Sequence, residues 1–149
     1  MDIVTSIPVR LERLESVSAL IEPLRERIAR LACDNFVQRG CLHGYDFADW
    51  LNAERALVVA AAAEFRYSAD DLIIEVTLPE IELPNLSLYA GSTQLVLSSD
   101  PNEDGLQIMN VIDLPSTISL DGLDAERTHN KLRITAALAA YYAVQQATA

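Results

Sequence analysis

Up to about Glu64 the apolar positions recur by threes and fours. Leu14, Val17, Ile21, Leu24, Ile28 and Leu31 form one stripe, which predicts one face of an α-helix and would also serve as a coiled-coil seam. Pro23 interrupts the stripe. Proline lacks the amide donor and crowds the preceding turn, so the expectation is either a kink between Ser18 and Pro23 or two helices, the second running from Pro23 to about Arg39. Phe47, Trp50, Leu51 and Leu57 then predict a further helix whose apolar face turns toward the first. The long stripe is expected to pack on that helix or on the rest of the chain; pairing with a second copy or a partner helix is the alternative.

From about Arg66 the period becomes two. Leu72, Ile74, Val76 and Leu78 alternate with other residues, as do Leu86 and Leu88, Leu95 and Leu97, Leu123 and Ala125, and Leu132 and Ile134, with Ile108 between them. Short alternating runs divided by Pro79 to Pro84 and by Pro101 to Gly105 predict antiparallel strands stacked as a sandwich. Pro79 and Pro84 mark strand ends or an edge, since proline cannot donate to a ladder. The expected architecture is therefore α+β. A helical region of two to three helices occupies 1–64, and a sandwich occupies 65–149. The alanine-rich stretch from Ala136 to Ala149 either extends the last strand or forms a short helix.

Half of the 149 residues are apolar, which is ample for a core, and the net charge is −11, with a pI near 4.4. Such a surface repels phosphate backbones and anionic membranes, so neither nucleic acid nor membrane is an expected partner. Two cysteines, Cys33 and Cys41, are too few for a disulfide framework. The longest apolar run, Ala56 to Ala63, is far below the roughly 20 residues of a membrane span. With no leader pattern at the amino terminus, the expected location is the cytoplasm.

The densest cluster of chemically capable side chains lies between Arg39 and Leu57. Cys41, His43, Asp46, Asp49 and Glu54 invite a metal reading, but no HExxH or CxxC pair is present, and a zinc site needs ligands that converge at bonding distance. Cys41 beside His43 invites a nucleophile reading, yet nothing supplies an orienting partner or an oxyanion hole. A structural turn accounts for more of the residues. Gly40 and Gly44 permit left-handed backbone. Asp46 serves as N-cap, Asp49 answers the exposed amides of the next helix, and Trp50 packs between helices. No cofactor, metal or catalytic residue is expected.

That stretch resembles a bacterial family of unknown function whose signature reads roughly RG-x-x-HG-x-D-x-x-DW-x-x-AE. Arg39, Gly40, His43, Gly44, Asp46, Asp49, Trp50, Ala53 and Glu54 match it. The resemblance spans about 23–57 and implies a helical hairpin. The second half, about 66–138, resembles the α-crystallin domain of small heat-shock proteins. Two blocks carry the likeness. Asp70 to Pro79 is followed by Leu86-Ser87-Leu88 and Leu95 to Ser98; Leu114-Pro115 is followed by Leu123, Ala125, Leu132 and Ile134. The resemblance implies an immunoglobulin-like antiparallel β-sandwich of the α-crystallin type. The chain departs from that pattern in several places. Asn130 stands where the family has a glycine and is expected to take a left-handed turn. Asp100 to Gly105 is too short for the strand that bacterial members exchange, and no Ile-x-Ile tail follows Ala136.

What the resemblance implies about function is ATP-independent holding of partly unfolded proteins, as a stress-response chaperone that self-associates as a dimer. A groove flanked by Leu86 and Leu88 on one side and Leu123 and Ala125 on the other is the expected contact, although alternation also fits a core role for all four. The alternative is an adaptor that has kept the sandwich and uses its edge or the helical region for one partner. His129 reads as a solvated turn residue, and Asp70-Asp71 and Glu103-Asp104 as solvated charge.

Overall fold

The structure, a computed structural model, describes residues 9–41, 44 and 46–139. Its elements are β1 (Arg10–Arg13), α1 (Val17–Gln38), α2 (Asp46–Leu57), β2 (Val58–Val59), β3 (Ala62–Ser68), β4 (Asp71–Thr77), β5 (Ser87–Ala90), β6 (Gln94–Ser98), β7 (Gln107–Asp113), β8 (Asp124–Arg127) and β9 (Lys131–Ala137). The strands make two sheets. One has the order β3-β4-β9-β8 and is antiparallel throughout. The other has the order β1-β5-β6-β7-β2; its three central strands are antiparallel, and β1 and β2 join the two edges in parallel.

Alternation produces the core. Leu72, Ile74 and Val76 of β4 and Leu132, Ile134 and Ala136 of β9 turn one way and are buried against Leu88, Leu95, Leu97, Ile108 and Ile112 of the facing sheet. Their alternate neighbours, among them Glu75 and Arg133, face outward. These two sit opposite each other in the ladder and pair at 3.2 Å. The sandwich expected from the period-two runs is what forms, and every apolar position named for it packs in or against this core.

The helices form a third layer. Leu24, Ile28 and the fully buried Ala53 make a second apolar cluster, joined by Leu31, Trp50, Leu57, Val58 and the β7 residue Met109. Leu24, Ile28 and Leu31 of the stripe thus pack within the chain, on α2 and on Met109 of the second sheet. Arg27 fastens the layers by donating to the Gly105 carbonyl at 2.8 Å and to the Gln107 side-chain oxygen.

Several expectations are corrected. Pro23 lies inside one helix, Val17–Gln38, rather than between two. It forfeits a single donor, to the Ala19 carbonyl four residues back, and the buried face at Leu24 and Ile28 holds the helix together across that gap. Phe47, expected on the inner face of α2, is 76% exposed. Ala53 takes the contact instead, because a small side chain lets the helices approach closely. Asn130 is not left-handed; among the described residues the positive angles outside glycine are at Cys41, Ala69 and Asn85. The 1–64 stretch, expected as helical, also supplies β1, β2 and the start of β3. At the other end β9 extends through Ala137, and Leu138 bridges to Ile118; 140–149 lie outside the described residues.

Two substitutions test this division of inside from outside. Leu88→Ala should lower the unfolding free energy by about 2–5 kcal/mol, as removal of a fully buried leucine does. Phe47→Ala should change it by less than about 0.5 kcal/mol. Urea unfolding of both variants checks the pair, and equal losses would contradict the packing described.

Candidate functional site

The turn between α1 and α2 is a clamp. Arg39 closes α1, and its amide donates back to the Asn35 carbonyl at 3.1 Å. Its guanidinium reaches Asp49 at 2.6 Å, and that carboxylate is buried. Asp49, in the first turn of α2, therefore braces the two helices through Arg39. Gly40 and Gly44 have φ of 77° and 95°, and a Cβ at either would meet nothing within 4 Å. Glycine is thus demanded there by backbone angle rather than by space. Trp50 donates its indole N–H to Glu54 at 3.2 Å and packs on the Leu24–Ile28 cluster.

The residues that invited a metal or nucleophile reading are separately committed or dispersed. Asp49 belongs to Arg39, Glu54 accepts from Trp50, and Cys41 is exposed. Asp46 is the first residue of α2; its side chain, like all of His43, lies outside the described residues. Among the described residues no three His, Cys, Asp or Glu side chains converge as metal ligands, and no helix is long and apolar enough to cross a membrane. His129 is exposed in the β8–β9 turn, 3.8 Å from Glu80. Burial pushes the Arg127 guanidinium below its ordinary value, and the hydrogen bond and charge of Glu12 raise that of Arg10.

The strand edges are the other candidate surface. Of the four residues expected to flank a groove, Leu86 and Leu88 are buried in the core, and Leu123 and Ala125 pack partly buried against it. The edge of β5 beside them is already taken, because β1 pairs along it from Arg10–Ser87 to Arg13–Ala90. What stays open is a cleft of about 260 Å3 lined by Leu11, Arg13, Ala90, Leu120 and Leu123. At the far end of the other sheet, β3 pairs only with β4 among the described residues. Phe65 and Tyr67 lie opposite the core residues Ile74 and Leu72, so they point the core way. Yet they are 40% and 52% exposed. The Tyr67 hydroxyl meets that of Ser116 at 2.5 Å.

Neither β1 nor the β3 overhang was foreseen from sequence. Val9-Arg10-Leu11-Glu12-Arg13 does alternate, but the run is too short to be distinguished from the helical stripe that follows. Phe65 and Tyr67 alternate as core residues do, yet they stay exposed.

Comparison with known proteins gives the following. A family described as "Protein of unknown function (DUF2934)" matches residues 23–57, the hairpin and its clamp. No curated protein matches the chain. Similar solved structures include heat shock protein 16.0 from Schizosaccharomyces pombe, 16% identical over 54% of this chain and 87% of that one, TM-score 0.44. HSP18.5 from E. histolytica is 18% identical over 52% and 86%, TM-score 0.45. A small heat-shock protein from Xylella fastidiosa is 14% identical over 55% and 88%, TM-score 0.44. These neighbours are small heat-shock proteins.

Breaking that clamp should be costly. Arg39→Met leaves the Asp49 carboxylate buried without its guanidinium, and the expected loss is about 3 kcal/mol, the lower end for a severed buried pair because the arginine is partly exposed. A double-mutant cycle with Asp49→Leu should return a coupling above about 1 kcal/mol. A coupling near zero would show that the two residues merely lie close together.

Proposed function

We propose that this protein is a non-enzymatic binding module of the small heat-shock type, holding partly unfolded polypeptides without nucleotide. The sequence resemblance over about 66–138 supports the class. The observation that carries the reading is the β3 edge. A seven-residue strand, Ala62–Ser68, leaves one row of amides and carbonyls without a strand partner among the described residues, next to exposed Phe65 and Tyr67. An extended segment of an unfolded chain can add to such an edge, with its backbone satisfied by the ladder and its apolar side chains laid on the two rings. The arrangement is sequence-tolerant, since main-chain hydrogen bonds supply the affinity. Within the chain we assign the holding to the sandwich and a bracing role to the helical hairpin.

The acidic surface fits this use. With a net charge of −11, the protein and its bound segments repel one another and stay dispersed.

Light scattering from a reduction-denatured model protein, with and without this chain at equal subunit concentration, tests the reading. Suppressed scattering is expected. The double variant Phe65→Glu/Tyr67→Glu should lose most of the suppression; because both rings are half-covered and the Tyr67 hydroxyl bonds to Ser116, the comparison is made at a temperature well below the variant's own unfolding midpoint. Unchanged scattering across several denatured proteins would overturn the holding function and leave an adaptor that docks one specific partner.

A further inference from the structure

We propose that the groove between the helical hairpin and the outer face of β7 binds a free medium-chain fatty acid, with the tail laid in the groove and the carboxylate held by Arg25. The inference uses no residue of the β3 edge and stands or falls apart from the holding function.

The hairpin covers the outer face of β7 incompletely. Leu24 and Ile28 of α1, Trp50 of α2 and Met109 of β7 pack together there. A groove of about 450 Å3 nevertheless remains between them, and Val111 at its side is 37% exposed. Pockets that take one small molecule measure roughly 300–1,000 Å3, so the space suits a ligand of that kind. It is too narrow for a partner helix, whose diameter with side chains is about 10–12 Å. Ile21, Leu24 and Ile28 stand on successive turns of α1, which makes the apolar wall about 10 Å long at 1.5 Å per residue. A straight hydrocarbon chain matches a slot of that shape.

Charge selects the head group. Of the residues that line the groove, only Arg25 and Glu54 are charged. Glu54 is engaged, because it accepts the indole N–H of Trp50 at 3.2 Å. Arg25 is exposed and has no ion pair or hydrogen bond among the described residues. Neither Glu22, one turn back, nor the adjacent Glu26 pairs with it. A guanidinium presents parallel N–H donors that match a carboxylate with two hydrogen bonds. An unpaired cation at the mouth of an apolar groove, on a chain of net charge −11, therefore favours an anionic head over a neutral one.

Trp50 is the only tryptophan of the chain, so its fluorescence reads the groove directly. Decanoate, below its micelle concentration, is titrated into the full-length protein, with 1-decanol and decyltrimethylammonium in parallel. Decanoate should shift the Trp50 emission saturably at one molecule per chain. The alcohol should bind about tenfold more weakly, the loss expected of one charge-assisted contact, and the ammonium more weakly still. Arg25→Glu should weaken decanoate at least as much as loss of the head charge does. Val111→Asp, which brings a carboxylate to the groove at an exposed position, should remove binding. Far-UV circular dichroism checks that both variants stay folded, and Phe65→Glu/Tyr67→Glu should bind decanoate as the wild type does. No saturable shift, equal affinity for acid and alcohol, or unaltered binding by Arg25→Glu overturns the proposal. Vesicles of anionic phospholipid should leave the emission unchanged; a shift as large as that with decanoate would make the groove a membrane contact and overturn its assignment to the free acid.

Discussion

The five-stranded sheet carries apolar residues on its outer face as well as inside the sandwich, and the helical layer answers the need to cover them. Leu95 and Leu97 point into the sandwich, while Val96 between them is fully buried on the opposite side. Its partner in the ladder is Val111, and Met109, two residues back on the same strand, packs into the helical cluster. A sheet buried on both faces cannot stand as the outer wall of a two-layer sandwich. α1 and α2 provide a third layer over Met109 on that side, with Val111 beside it left 37% exposed.

Covering the faces leaves the edges. Unpaired strand edges invite association, and the chain treats its edges unequally. The five-stranded sheet takes its two outermost strands from the helical half, β1 before α1 and the two-residue β2 directly after α2. The same segment of chain that supplies the helical cover thus also supplies the edge cover. The four-stranded sheet has no such help. Among the described residues its β3 and β8 edges have no further strand partner, and Phe65 and Tyr67 on β3 are 40% and 52% exposed.

The turn in the hairpin shows how a dense set of reactive residue types can serve structure alone. Arg39 and Asp49 are ten positions apart in sequence. They meet because two left-handed glycines reverse the chain within a few residues, and Trp50 and Ala53 then fit against Leu24 and Ile28. Each side chain of the signature that lies among the described residues has a packing or bonding task that suffices to explain its presence. The connection between β6 and β7 is treated similarly. Asn102 folds it tightly, accepting from the amides of Asp104 and Leu106, and Arg27 ties it to α1, so it acts as a tie point rather than as a free arm.

The sequence by itself determined the local geometry: the period-two runs of β4, β6 and β9, the helical stripe from Val17 to Leu31 and the glycine-governed reversal at Gly40 and Gly44. These are legible because a strand or helix with one buried face must repeat at its own period, and because φ above zero restricts the residue type. Only the tertiary structure decided what depends on the size and position of a distant surface. Residues 10–13 became a strand because β5, more than seventy positions away, offers an open edge. Phe47 is left outside because the fully buried Ala53 already fills the helix contact. Phe65 and Tyr67 carry the same alternation as buried residues, yet they stay exposed. Periodicity records which way a side chain points; whether anything stands there to meet it is settled by elements far along the chain.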